Sequence, residues 1–496
     1  MGKLISRLTQ SKTRGTGVII HRQGTEGLDE EVFTQLLCEI PSDRNELFKY
    51  VLVEPDSDDP GLNVDRQLLL KLAKHVNPFW QGEEADMSRF SVLGDDDTEL
   101  NLPASIGCFG NVGEKHKLGE YRCITVGEVR KNVQTLISTT TIPGRTSRAL
   151  GCMFGMACGD ALGHTLEFTP VRYDSQQLIT GMVGGGRFML QPGQWTDDTS
   201  MGLCILDSLL MANENSSGFK VDCLDMMLRF VAWWCLGYNN AFGYDTETRK
   251  VQKHSVGLGG NISQSLRKFI EHGEGSTSAG DVETSGNGSV MRLAPISILF
   301  WDDIDAACRY ARITSLTTHR GKEASECSRL LAHICSTAIE RGANATVNGI
   351  LGNLGDDFYS EDSRVMSLAR AEQEVGGDEN RNWKWKLNDY KYSPLRSQMQ
   401  PGYVGSYVMD CLSMALHCVW TTTSFETAVL KCVNMGGDAD TVGSVCGQIA
   451  GAIYGIETVP QDWINAVQQW DRNGDIALKT WFLFHKTKLA QAKNIT

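Results

Sequence analysis

The sequence predicts a mainly α protein: an all-helical domain over residues 145–490, preceded by a small α/β module over residues 1–144. Three observations carry this reading. From about residue 147 apolar residues recur with the spacing of one helical face. Within that region glycine falls at every fourth position twice, at Gly151, Gly155, Gly159 and Gly163 and again at Gly443, Gly447, Gly451 and Gly455. Ahead of it, short β-branched runs such as Val18-Ile19-Ile20 and Val51-Leu52-Val53 are set among acidic, turn-rich stretches such as Asp56 to Asp59 and Gly94-Asp95-Asp96-Asp97.

The N-terminal module closes with Ser138-Thr139-Thr140-Thr141-Ile142-Pro143-Gly144-Arg145, where Pro and Gly mark a boundary. It contains no motif that carries chemistry. Its opening, Met1-Gly2-Lys3-Leu4-Ile5-Ser6, fits the pattern for N-terminal myristoylation and is followed by Arg7, Lys12 and Arg14. A disordered basic start is the plainer reading of so short a match. Even if acylated, one chain and a few charges give only reversible membrane contact, and only through the N-terminus.

In the second region the periodicity predicts helices near 147–163, 198–213, 221–236, 261–271, 290–300, 322–341, 405–420, 424–434 and 441–456. Glycine inside a helix costs about 1 kcal/mol relative to alanine, so a stripe of four implies a compensating contact. Backbone-close packing on another helix is the simplest one. The two striped helices are therefore expected to pack on each other, bringing the first helix and the last motif of the chain together at the centre of the domain. Between Gly352 and Gly402 the chain turns polar and acidic around Asn382-Trp383-Lys384-Trp385-Lys386, and this segment (about 352–402) reads as a surface insertion over a cleft.

Composition excludes several classes of function. Lys and Arg number 47 against 60 Asp and Glu, and a net charge of −13 argues against a broad nucleic-acid surface, though not against a small anionic ligand. No apolar run reaches the roughly 18 to 20 residues that a bilayer requires, and the first residues lack the apolar core of a secretory signal. The 15 cysteines are odd in number and sit largely within apolar helical stretches (Cys152, Cys158, Cys204, Cys235, Cys418, Cys446), as reduced core residues of a cytoplasmic protein do. With no CxxC pair, oxygen is the ligand atom to look for at a metal site.

Oxygen ligands are abundant at two helix starts. Thr196-Asp197-Asp198-Thr199 follows Gly193-Gln194-Trp195, and Asp438-Ala439-Asp440-Thr441 follows Gly436-Gly437. Helix capping needs only one such side chain at each start. Four carboxylates with the Thr196 and Thr441 hydroxyls make a set suited to Mg²⁺, Mn²⁺ or Ca²⁺, and large enough for a two-metal centre. Ser285-Gly286-Asn287-Gly288-Ser289 leads into an apolar helix, where free backbone N–H groups could bind a pyrophosphate; a structural turn is the equal alternative. Thr318-His319 places an imidazole near a helix start, where a structural role is the commoner one.

Together these segments resemble the ADP-ribosylglycohydrolases, the family of the dinitrogenase-reductase-activating glycohydrolase and the ADP-ribose-arginine and ADP-ribose-serine hydrolases. The carriers, in the family's order, are Gly159-Asp160-Ala161-Leu162-Gly163 with Glu167-Phe168, Trp195-Thr196-Asp197-Asp198-Thr199, Gly286 to Arg292, Thr318-His319 and Gly436 to Thr441. The resemblance covers about 147–457 and implies an all-helical fold. It implies that Thr196, Asp197, Asp198, Asp438, Asp440 and Thr441 ligate two Mg²⁺ ions. Glu167 and Asp198 would be the catalytic carboxylates, while Gly286, Gly288 and Ser289 would line the phosphates and His319 the ADP-ribose pocket. Some bacterial members carry an acid ahead of a Gly-Asn pair, where this chain has Leu258 in Gly257-Leu258-Gly259-Gly260-Asn261. The implied activity is metal-dependent hydrolysis of the glycosidic bond that joins ADP-ribose to protein or a related conjugate. The rival readings are an inactive ADP-ribose-binding or structural relative, and a two-metal phosphate-ester hydrolase.

Overall fold

A computed structural model of the chain describes residues 99–103, 121–125 and, with breaks, 144–484; the longest breaks are 273–284 and 374–380. The expected N-terminal module lies outside the described residues except for two strands, β1 (Glu99–Pro103) and β2 (Tyr121–Thr125), paired antiparallel. The myristoylation pattern lies outside them altogether.

From Gly144 onward the fold is helical. In chain order come α1 (Gly144–Gly163), α2 (Asp197–Met211), α3 (Cys223–Leu236), α4 (Gly260–His272), α5 (Ala294–Leu299), α6 (Ile304–Ser315) and α7 (Lys322–Arg341). Four short helices follow, α8 (Val347–Leu351), α9 (Leu354–Asp357), α10 (Ser363–Arg370) and α11 (Pro394–Met399). Then come α12 (Val408–Trp420), α13 (Phe425–Val433), α14 (Ala439–Tyr454) and α15 (Gln461–Gln468), with further helical residues between 476 and 484. Two hairpins of two-residue strands, within 214–219 and 244–251, are the only strands among the described residues after 144.

The expected helices all appear, most with ends within two or three residues of the periodicity. The exception is the stretch 290–300, of which only α5 is α-helical. Pro295 falls in its first turn, where its missing N–H and its ring rule out a helical bond back to Met291, so the α-helix starts at Ala294 instead of running through from 290.

The two glycine-striped helices, α1 and α14, form an antiparallel pair at the centre. A Cβ on Gly151, Gly155, Gly159 or Gly163 would overlap the carbonyl oxygen of Gly451, Gly447, Gly443 or Ala439 respectively. The stripe exists because no side chain fits between these backbones. α12 and α13 pack on α14, α7 packs on both members of the pair, and α2 and α5 pack on α1.

The segment 352–402 is less superficial than its polarity suggests. Trp383, Trp385, Tyr390 and Tyr392 are buried. Trp385 donates its indole N–H to the Leu368 carbonyl at 2.7 Å, and Tyr390 bonds the Ser413 hydroxyl of α12 at 2.6 Å. The alternation Trp-Lys-Trp-Lys turns the rings inward and leaves Lys384 exposed, so the insertion is docked on the core by its aromatics. No helix among the described residues is long and apolar enough to cross a membrane.

Candidate active site

The α1–α14 seam ends where the chemistry begins. At Gly163 the chain leaves α1 and turns through Glu167, while the opposing helix starts just after Asp438. Two backbone hydrogen bonds lock these segments together, Phe168 N–H to the Gly437 carbonyl and Gly437 N–H to the Thr169 carbonyl, each 2.8 Å. Gly436 and Gly437 both have positive φ, +73° and +69°, which is the turn their sequence calls for. As a result, carboxylate oxygens of Glu167, Asp438 and Asp440 lie within 4.8 Å of one another.

The start of α2 is held from beneath by a residue to which sequence reasoning gave no role. Asp160 of α1 is fully buried and accepts four groups: the backbone N–H and hydroxyl of Thr196 at 3.0 and 2.9 Å, and the backbone N–H and hydroxyl of Thr199 at 3.0 and 2.7 Å. Asp160 thereby satisfies the N–H groups of Thr196 and Thr199 at the helix end. Capping does not account for Asp197 or Asp198, and the residue before each helix, Thr196 or Asp438, makes no side-chain cap bond.

The carboxylates freed in this way are crowded and buried. Asp198 Oδ1 and Glu167 Oε2 are buried with no hydrogen-bond partner. Asp438 accepts the side-chain amide of Asn287 at 3.0 Å, and the same amide donates to the Gly405 carbonyl at 3.0 Å. Asn287 is the second functional residue that sequence reasoning passed over, although it stands between the two glycines of its motif.

Burial drives the electrostatics. It pushes the Glu167 carboxyl up to about 8, with the charge of Asp438 adding to the effect. Asp160 rises to about 6 because burial outweighs its hydrogen bonds. Asp197, Asp198 and Asp440 are raised well above the usual carboxylate range by burial first and by neighbouring carboxylates second. Such a cluster must take up protons or cations. Hard oxygen donors, two of them orphaned inside the protein, are the set that Mg²⁺, Mn²⁺ or Ca²⁺ prefers. The residues present fit divalent ions, with Glu167, Asp197, Asp198, Asp438, Asp440 and the Thr196 and Thr441 hydroxyls as available donors.

Most of these groups face a cavity of about 520 Å³. Of the expected site residues, Glu167, Asp197, Asp438, Asp440, Thr441, Gly286, Gly288 and His319 line it, while Thr196 and Asp198 are buried outside its lining. Ser289 does not line it; its hydroxyl points to the Ala324 carbonyl of α7 at 3.4 Å. The Gly286–Asn287 backbone is pinned to the segment before α12, with Asn287 N–H on the Ser406 carbonyl at 3.1 Å, so that N–H is not free for a phosphate. The glycines have a second role: a Cβ on Gly288 would stand 2.7 Å from the His319 ring, and one on Gly286 3.3 Å from its Nε2. Leu258, not a carboxylate, lines the cavity at its position, and Gly257 lies so close to Asp197 that a Cβ there would strike the carboxylate. The aromatic side is a stack: the Arg187 guanidinium sits 4.7 Å over Phe168, whose ring meets Tyr403 edge-on at 5.4 Å.

A model of the ADP-ribosylglycohydrolase family matches residues 141–492. The chain belongs to the ADP-ribosylglycohydrolase family. Its relatives include the ADP-ribosylarginine hydrolase Tri1 of Pseudomonas putida, 32% identical over 68% of this chain and 78% of the relative, and that of Serratia proteamaculans, 30% identical over 68% and 79%. The ADP-ribosyl-[dinitrogen reductase] glycohydrolase of Rhodospirillum rubrum is 27% identical over 66% of this chain and 92% of its own length. Among solved structures, one described as an ADP-ribosylglycohydrolase-related protein complex matches with a TM-score of 0.50 and 30% identity, covering 68% of this chain and 99% of that one. As an ADP-ribosylglycohydrolase the chain is a hydrolase of ADP-ribosyl conjugates, and residues 1–140 stand outside the match.

Proposed function

We propose that this ADP-ribosylglycohydrolase is a Mg²⁺-dependent enzyme that releases ADP-ribose from ADP-ribosylated protein, with arginine as the first linkage to test. One observation carries the reading: Glu167, Asp197, Asp438 and Asp440 converge on one cavity with Asp198 buried beside them, and Glu167 Oε2 and Asp198 Oδ1 are left without a hydrogen-bond partner. Two divalent ions, Mg²⁺ or Mn²⁺, would be held by Thr196, Asp197, Asp198, Asp438, Asp440 and Thr441. When bound they would supply charge compensation and orientation of the ribose hydroxyls and a water.

The chain's own residues divide the remaining work. Glu167, raised by burial, is poised to hold or accept a proton beside the scissile bond, with Asp198 as its partner in acid–base work. Gly286, Gly288 and His319 would receive the phosphates and ribose. The arginine preference is supported by the Tri1 relatives, and Leu258 in place of an acid bears on the same choice. A phosphate-ester hydrolase could use the same ions, whereas an inactive relative would have no need of the full donor set.

The test is a panel of defined linkages (arginine, serine, poly-ADP-ribose and a nucleic-acid end) incubated with Mg²⁺ or with chelator. Free ADP-ribose from the arginine substrate, absent with chelator, is the expected result. AMP or inorganic phosphate as the product would replace this reading with phosphate-ester hydrolysis. Residues 1–144 belong to the proposal as a separate module, and the chain from residue 141 should still cleave a small ADP-ribosyl substrate.

A further inference from the structure

Behind His319 lies a charge that the proposed reaction does not use. Arg292 is 1% exposed; burial lowers its guanidinium, and the charges of Asp197 and Asp198 act on it from a distance. Its guanidinium sits 4.5 Å over the Phe230 ring and donates to the hydroxyls of Thr318 at 2.6 Å and Thr317 at 3.2 Å. The Thr318 hydroxyl in turn lies 2.8 Å from His319 Nδ1. The other edge of the imidazole, Nε2, faces the Gly286–Gly288 loop at the cavity wall.

Arginine only donates, so its bond to Thr318 occupies a lone pair and leaves the hydroxyl proton to find an acceptor. The Thr317 hydroxyl has already given its proton to the Thr314 carbonyl at 2.6 Å. For Thr318 the acceptor is His319 Nδ1. The opposite tautomer would leave the hydroxyl proton unpartnered inside the protein and turn a bare Nε2 lone pair toward the cavity. We infer that Arg292 and Thr318 are positioning residues that hold His319 as the neutral Nε2–H form, giving the cavity a fixed N–H donor for a phosphate or ribose oxygen. Burial and the nearby Arg292 charge also depress the imidazole to about 3, so the ring stays uncharged across the working range. The donor therefore persists below neutral pH, where a free imidazole becomes charged.

The inference rests on the ADP-ribosyl reading for the ligand but not for the tautomer, and the experiment separates the two. The full chain, labelled with ¹³C and ¹⁵N at histidine, is examined without ligand, with His319→Gln identifying the signal. The expected signature is a neutral Nε2–H imidazole from pH 5 to pH 9. Thr318→Val should lose that tautomer and weaken free ADP-ribose by about tenfold in calorimetry, the contribution of one well-placed hydrogen bond. Thr318→Ser, which restores the hydroxyl, should recover both. An Nδ1–H or protonated ring in the parent at pH 7, or a Thr318→Val variant that keeps the Nε2–H form, overturns the inference. Should the tautomer hold while no ADP-ribosyl substrate is cleaved, the hydrolase reading fails alone.

Discussion

The helices α1 and α14 meet twice, and the two meetings are built on opposite principles. Along the seam, side chains have been removed until backbone touches backbone, with Gly155 and Gly447 each at the other's carbonyl. At the mouth, just past Gly163 and at the start of α14, the same two chain segments contribute Glu167, Asp438 and Asp440, whose carboxylates crowd together, with Glu167 Oε2 left unpartnered. The seam is steric, so its stability is indifferent to pH and ions. The mouth is electrostatic and unfavourable in the bare protein, and only what binds there relieves it.

The strongest way to break the seam is to restore a side chain to it. Gly155→Ala or Gly447→Ala gains about 1 kcal/mol of helix propensity but forces two backbones apart, with a net loss of about 3 kcal/mol expected. Thermal or denaturant unfolding reads this directly. Gly260→Ala, where a Cβ would meet nothing within 4 Å, is the control and should leave stability near the parent value. If Gly447→Ala unfolds at the parent midpoint, the close approach is not what holds the pair.

At the mouth the sign reverses. Asp198→Asn and Asp440→Asn keep side-chain size and remove a charge from a repulsive cluster, so the metal-free variants should melt higher than the parent. Their affinity for Mg²⁺ and their release of ADP-ribose should both fall, activity by about 100-fold or more. A variant that binds two ions and turns over normally would remove these residues from the proposed centre.

The sequence made the seam more legible than the mouth. Glycine at every fourth residue admits few explanations, because the cost of each must be offset by contact, and from this the α1–α14 pairing follows. The paired acids at 197–198 and 438–440 were visible for the same reason: there are more of them than capping needs. Asp160 gave no such signal, since one acid in an apolar helix reads as solvent-facing until the start of α2 is seen above it. Asn287 was hidden in a glycine motif whose reading dwelt on backbone N–H groups. The insertion misled through its charge, while the alternation of Trp383 and Trp385 with lysines already carried its burial.

Titration offers a finer contrast between the two regions. Glu167, ordinarily near 4.5, titrates near 8 in the folded chain. Between those values the folded state holds a proton that the unfolded chain has lost, so raising the pH works against folding. Asp160 adds to the slope between 3.8 and about 6. In chelator the melting midpoint should therefore fall steadily from pH 5 to pH 8, and saturating Mg²⁺ should flatten the curve. The slope should survive in a destabilised seam variant such as Gly155→Ala, because the seam has nothing to titrate; a slope that vanished there would tie the pH dependence to the wrong region.

The smallest effect is expected at Ser289, and it tests how far family pattern can be carried onto individual side chains. The motif places Ser289 among the phosphate contacts, yet its hydroxyl is turned to the Ala324 carbonyl of α7 and the residue is 2% exposed. A 3.4 Å bond to a carbonyl is a weak one, worth at most about 1 kcal/mol. Ser289→Ala should therefore lower stability by that much or less and leave the affinity for ADP-ribose unchanged. Gly288→Ala, in contrast, puts a methyl group 2.7 Å from the His319 ring and should weaken ADP-ribose by about tenfold or more. If Ser289→Ala loses ADP-ribose affinity as severely as Gly288→Ala, the hydroxyl must turn into the cavity when ligand binds, and the loop would join the mouth as a responsive element instead of the seam as a fixed one.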